Sequence, residues 1–115
     1  MKTVLVVDDD ADIREAVADV LEDSGYFVLE AGDGREALAR LDSLHGEPCL
    51  MLLDMMMPNM NGAELLKALS NGQRLGALPV VVMSANTTDA SEARRVLRKP
   101  VPVDALLRVV QEFCG

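Results

Sequence analysis

Thr3-Val4-Leu5-Val6-Val7 runs directly into Asp8-Asp9, and Cys49-Leu50-Met51-Leu52-Leu53 runs directly into Asp54. Consecutive apolar residues over five positions, rich in β-branched types in the first run, read as strands buried on both faces, the pattern of a parallel sheet. A third short run, Arg95-Val96-Leu97-Arg98, is followed by Lys99. If the three runs are parallel strands, three acids and a lysine meet at one edge of the sheet. Such a cluster suits oxygen ligation of Mg²⁺ beside a carboxylate able to accept a phosphoryl group.

Working outward, strand-like and helix-like segments alternate. Ile13, Ala16, Val17, Val20 and Leu21 recur at helical spacing, which predicts a helix from about Ala11 to Asp23. Ser24-Gly25 stops it, and residues 26–31 read as a second strand. Gly32-Asp33-Gly34 is a turn rather than a dinucleotide loop, because the first strand leads into acids and not into Gly-x-Gly. Helices are predicted over 35–44, 62–69 and 103–113, and strands over 49–53, 80–83 and 95–98. Pro102 and Asp104 suit the start of the last helix. This alternation implies an α/β fold, a parallel sheet covered on both sides through right-handed crossovers. The carboxyl ends of the strands form its functional edge. Asp8, Asp9, Asp54, Ser84 and Lys99 all follow strands and converge there.

Composition sets the bounds. A chain of 115 residues has room for one domain, read here as 1–115, and half of it is apolar, as expected of a globular protein. A net charge of −8 argues against direct binding to nucleic acid or to an anionic membrane surface, both of which need a cationic footprint. No apolar stretch approaches the roughly 20 residues of a membrane span, and Met1-Lys2-Thr3 leaves no space for a signal peptide, so the cytoplasm is expected. Cys49 is expected to be buried and Cys114 lies one residue from the last position. The two suggest no disulfide framework, and a reducing compartment fits them best.

The chemistry follows from residue types. Mg²⁺ takes oxygen ligands in an octahedron and needs only one or two carboxylates from the protein. Three packed carboxylates repel one another, and a divalent ion or Lys99 relieves that repulsion. A serine hydroxyl and a lysine ammonium on neighbouring strand ends are donors for phosphoryl oxygens. Other residues have plainer readings. Asp10 and Asp12 cap the first helix or face solvent. Met55 and Met57 pack in a loop, His45 is an exposed bystander, and Arg94, Arg95 and Arg98 form a solvated basic edge.

The motifs Val7-Asp8-Asp9, Asp54-x-x-Met57-Pro58-x-Met60-x-Gly62, Ser84-Ala85 and Lys99-Pro100 occur in that order over essentially the whole chain. In this the sequence resembles the receiver domains of two-component response regulators. The resemblance implies a flavodoxin-like sheet of order 2-1-3-4-5 with helices on both faces. It implies that Asp54 is the phosphoacceptor, with Asp8, Asp9, Asp54 and the backbone carbonyl of Met56 as Mg²⁺ ligands. Ser84 and Lys99 would contact the phosphoryl group. The implied partner is a histidine kinase or a histidine phosphotransfer protein.

Two features depart from that family. Ser84 and Lys99 are separated only by residues 85–98, too few for a helix of roughly 11–12 residues, a strand of roughly 5–6 and their turns. The fourth helix is therefore expected to be missing or much shortened, and residues 85–94, poor in helical periodicity, to be the most mobile part of the domain. Position 96, where many receivers carry a switch aromatic, is Val96. An alternative reading is thus an interaction module that keeps the fold without using phosphorylation. A phosphohydrolase of the haloacid dehalogenase type is disfavoured, since it carries an acid two residues after its nucleophile and this chain has Met56 there.

Overall fold

The computed structural model describes residues 2–44, 46–54, 62–72, 78–84 and 95–115. The strands are β1 (Thr3–Val7), β2 (Phe27–Ala31), β3 (Leu50–Asp54), β4 (Val80–Ser84) and β5 (Arg95–Arg98). The helices among the described residues are α1 (Ala11–Asp23), α2 (Gly34–Ser43), α3 (Gly62–Asn71) and α4 (Val103–Cys114). All neighbouring strands pair in parallel, in the order β2-β1-β3-β4-β5. The fold is the expected flavodoxin-like one, with each strand within a residue or two of its predicted bounds. The expected loss of a helix after β4, and the expected mobility there, fall on residues 85–94, outside the described residues.

Strand alternation explains the two layers. Odd residues of β1 and β3, among them Leu5, Val7, Met51 and Leu53, pack with Ala37 and Leu41 of α2 and with Leu65, Leu66 and Leu69 of α3. Even residues, among them Val4, Val6, Leu50 and Leu52, pack with Leu21 of α1 and with Leu106 and Val110 of α4. Successive side chains of a strand point to opposite faces, so a strand buried on both sides must be apolar throughout. That requirement is met by β1, whose Val4 to Val7 are fully buried.

Local signals set the helix starts. Asp10 caps α1 as expected, its carboxylate accepting from the amides of Asp12 (3.0 Å) and Ile13 (3.2 Å). Asp33 caps α2 in the same manner by accepting from Glu36 N at 2.9 Å, and Pro102 stands at the N-cap of α4 with Asp104 in its first turn.

The spacing along α1 left its rotation open: Ala18 and Leu21 are its buried residues, whereas Ile13 is 41% exposed. Ile13, Ala16, Val17 and Val20 instead line a groove of about 230 Å³ against Val101, Val103 and Leu106. The helix is rotated so that part of its apolar stripe borders this groove. One expectation is corrected: Cys49 and Cys114, read as free thiols suited to a reducing compartment, are joined in a disulfide with Cα atoms 5.4 Å apart. Cys49 immediately precedes β3 and Cys114 ends α4, and α4 lies across the sheet so that its last turn meets the amino end of β3. Their separation of 65 residues hid this pairing from sequence.

Candidate functional site

Parallel register assembles the site. Val7 of β1 is level with Leu53 of β3 and with Ala31 of β2, so the next residue along, Asp8, comes level with Asp54. Asp54 is level with Met83, and Ser84 with Arg98, so Ser84 and Lys99 emerge on the same side one step further. Lys99 N donates to Ser84 O at 2.9 Å and continues that pairing past the end of β5. The peptide bond from Lys99 to Pro100 is cis.

Asp8 is fully buried and Asp54 and Ser84 are each 6% exposed, while Asp9 is exposed. One carboxylate oxygen from each of Asp8, Asp9 and Asp54 lies within 4.8 Å of the others. The Lys99 ammonium stands between two of the acids, 3.3 Å from Asp8 Oδ2 and 3.5 Å from Asp54 Oδ1. The buried Asp8 carboxylate is also stabilised locally, since its Oδ1 accepts from Asp10 N at 2.9 Å. Burying a carboxylate is costly unless it is paired and hydrogen-bonded, and Asp8 has both kinds of support.

The structure thus brings together five of the residues singled out from sequence: Asp8, Asp9, Asp54, Ser84 and Lys99. The remaining one, Met56, lies outside the described residues, as do His45, Met55, Met57 and Arg94. Arg95 and Arg98 are exposed on edge strand β5, and Arg95 pairs with Glu112 and sits over the Phe113 ring at 6.0 Å. Val96, on the same strand, is 44% exposed. Sequence reading passed over Arg14 of α1, whose Nη1 donates to the Asp8 carbonyl at 2.8 Å and whose Nε donates to Glu30 Oε1 at 3.0 Å. An arginine one helical turn past an acid pair was the available signal.

Three hard oxygen donors at this spacing fit a divalent cation such as Mg²⁺, and the cluster tests well for it on charge, donor type and convergence. A carboxylate beside a lysine at the carboxyl edge of a parallel sheet can also take up a phosphoryl group, with the ammonium neutralising phosphoryl oxygens.

Comparison with known proteins agrees with the geometry. Residues 4–111 match the family model of the response regulator receiver domain. The chain is 36% identical over 118 residues to an uncharacterized 14.6 kDa protein of Leptolyngbya boryana, with 96% of this chain and 88% of that protein covered. It is 37% identical over 107 residues to the transcriptional regulatory protein CpxR of Escherichia coli (strain K12), covering 93% of this chain but only 42% of CpxR. The response regulator TrrA of Thermotoga maritima, solved in complex with Mg²⁺-BeF, superposes with a TM-score of 0.85 at 28% identity, covering 98% of this chain and 99% of that one. The chain belongs to the response regulator receiver domain family. It is therefore a signalling domain of two-component systems and not a conventional turnover enzyme. Among the described residues, no helix is long and apolar enough to cross a membrane.

Proposed function

We propose that residues 1–115 act as one receiver module in which Asp54 accepts a phosphoryl group from a phosphohistidine of a histidine kinase or a histidine phosphotransfer protein. In the transfer the P–N bond of the donor breaks and a P–O bond to an Asp54 carboxylate oxygen forms. Later attack of water on phosphorus releases inorganic phosphate and restores the carboxylate. The observation that carries this reading is the convergence of Asp8, Asp9 and Asp54 within 4.8 Å, with Lys99 bridging Asp8 and Asp54.

Asp8, Asp9 and Asp54, with the Met56 carbonyl, would hold Mg²⁺, which when bound supplies positive charge to phosphoryl oxygens. The Ser84 hydroxyl donates a hydrogen bond to one phosphoryl oxygen. Lys99 shifts its pairing from Asp54 Oδ1 toward the new phosphoryl oxygen while keeping Asp8. The domain contributes placement and charge, and both are in place before the donor arrives. The net charge of −8 fits a protein partner rather than nucleic acid, and the cytoplasm is the compartment this reading favours. The TrrA complex with Mg²⁺-BeF supports the metal and phosphoryl assignments by analogy.

Incubation with acetyl phosphate and Mg²⁺ followed by mass spectrometry is expected to place one phosphoryl group on Asp54. Stoichiometric labelling of an Asp54→Asn variant would refute the assignment.

One observation favours a second reading, that of an interaction module independent of phosphorylation: the position of the usual switch aromatic carries the exposed aliphatic Val96. Under that reading, partner affinity is the same for wild type and Asp54→Asn under phosphorylating conditions, whereas the receiver reading requires the two to differ.

A further inference from the structure

The acid pair that follows β1 sits in a short turn whose backbone is anchored at every residue but one. Asp8 N donates to Ala31 O at 3.0 Å, which extends the β1–β2 ladder past Val7. Asp10 N donates to Asp8 Oδ1, and Asp10 O accepts from Arg14 N at 2.9 Å as the first bond of α1. The Asp8 carbonyl belongs to the peptide plane that leads into Asp9. Arg14 Nη1 donates to it at 2.8 Å. Arg14 is itself held from the far side, since its Nε donates to Glu30 Oε1 at 3.0 Å and its side chain is only 20% exposed. Glu30 is in β2, level with Val6, so the guanidinium is braced against the sheet.

We infer that Arg14 is a positioning residue for Asp9: by fixing the Asp8–Asp9 peptide plane through the Asp8 carbonyl, it holds the exposed Asp9 carboxylate in register with Asp8 and Asp54 for a divalent cation. The inference rests on the metal reading given above. A planar guanidinium can make both bonds in fixed relative geometry, which a lysine ammonium on a flexible stem cannot. Groups that orient a metal ligand from behind are as much part of a site as the ligand itself, and their removal typically weakens metal binding by about 10–100-fold.

The sign of the effect separates positioning from plain electrostatics. Arg14 is a cation near three carboxylates, so as a bare charge it opposes Mg²⁺ binding, and its removal would tighten binding. As a positioning group its removal loosens binding. The Glu30 carboxylate offsets much of the Arg14 charge, which leaves geometry as the dominant effect.

The test is a Mg²⁺ titration of the full chain without phosphate, followed through the backbone amide NMR shifts of residues 8–10. Arg14→Met, which keeps the stem and loses the donors, is expected to raise the Mg²⁺ Kd by about ten-fold. Arg14→Lys, which restores the charge but not both bonds, is expected to recover little of the loss. If Arg14→Met does not fold, Glu30→Gln and Glu30→Leu remove the same charge, and only the glutamine keeps an acceptor for Arg14 Nε. Weaker Mg²⁺ binding in Glu30→Leu than in Glu30→Gln supports the inference, and equal affinities overturn it. Unchanged or tighter binding in Arg14→Met also overturns it. Asp9→Ala serves as the control: it must weaken Mg²⁺ binding, and if it does not, the metal reading fails rather than the role of Arg14 alone.

Discussion

Reduction of the Cys49–Cys114 bond is expected to lower the stability of this domain substantially while leaving the cluster around Asp54 intact. The bond closes a loop of 65 residues. In the chain-entropy description, cross-linking a loop of that length removes about 14 cal/mol/K from the unfolded ensemble, or about 4 kcal/mol at 25 °C. Measured disulfides commonly give less, so about 2–4 kcal/mol is the working range. For a chain of 115 residues, whose unfolding entropy is about 2 cal/mol/K per residue, that corresponds to a fall in Tm of about 8–17 °C.

The reduced domain should remain folded, because α4 is also held by the buried Leu106 and Val110. The Cys49 sulfur lies 3.2 Å from the Thr3 carbonyl, so the thiol formed on reduction has an acceptor in place. The bond sits at the amino end of β3, and five strand residues at about 3.3 Å each put it about 16 Å from Asp54. The assay is thermal unfolding by circular dichroism with and without a phosphine reductant, beside Cys114→Ala, with the two-proton mass change confirming complete reduction. Acetyl phosphate labelling at 25 °C is run on the same samples. A Tm change under about 2 °C on complete reduction would refute the reasoning. So would loss of Asp54 labelling in a reduced sample that is still folded.

Other outcomes follow from single contacts. Asp10→Ala removes the cap of α1, and a loss of about 1 kcal/mol is expected in urea unfolding, with no change if those two bonds are immaterial. Lys99→Met leaves the fully buried Asp8 carboxylate without its cation, so the metal-free protein is expected to lose about 1–3 kcal/mol, partly recovered by millimolar Mg²⁺; an unaltered Tm without metal would contradict the pairing. Phosphate on Asp54 is expected to outlast that on a Met56→Asn variant after the donor is removed, because a thioether is at most a weak acceptor and orients water poorly. Equal lifetimes would show that Met56 does not shield the site.

Much of this molecule is legible in the chain itself, for a local reason. A residue that follows a parallel strand has its position set by the strand, so the apolar runs ending in an acid, and the short edge run ending in a lysine, place those side chains at the sheet edge without knowledge of the helices. Val7, Leu53, Met83 and Arg98 then bring Asp8, Asp54, Ser84 and Lys99 together by register. The cap at Asp10 is local in the same sense. What depends on how distant surfaces meet could only come from the tertiary structure. The apolar stripe of α1 announces an amphipathic helix but not its rotation, which leaves Ile13 outside the core on the wall of a groove. Arg14 reads as an ordinary helix residue until β2 brings Glu30 beside it and the turn after β1 offers the Asp8 carbonyl. Cys49 and Cys114 read as unrelated thiols, because the distance between them is set by the path of α4 across the sheet and not by any pattern along the chain.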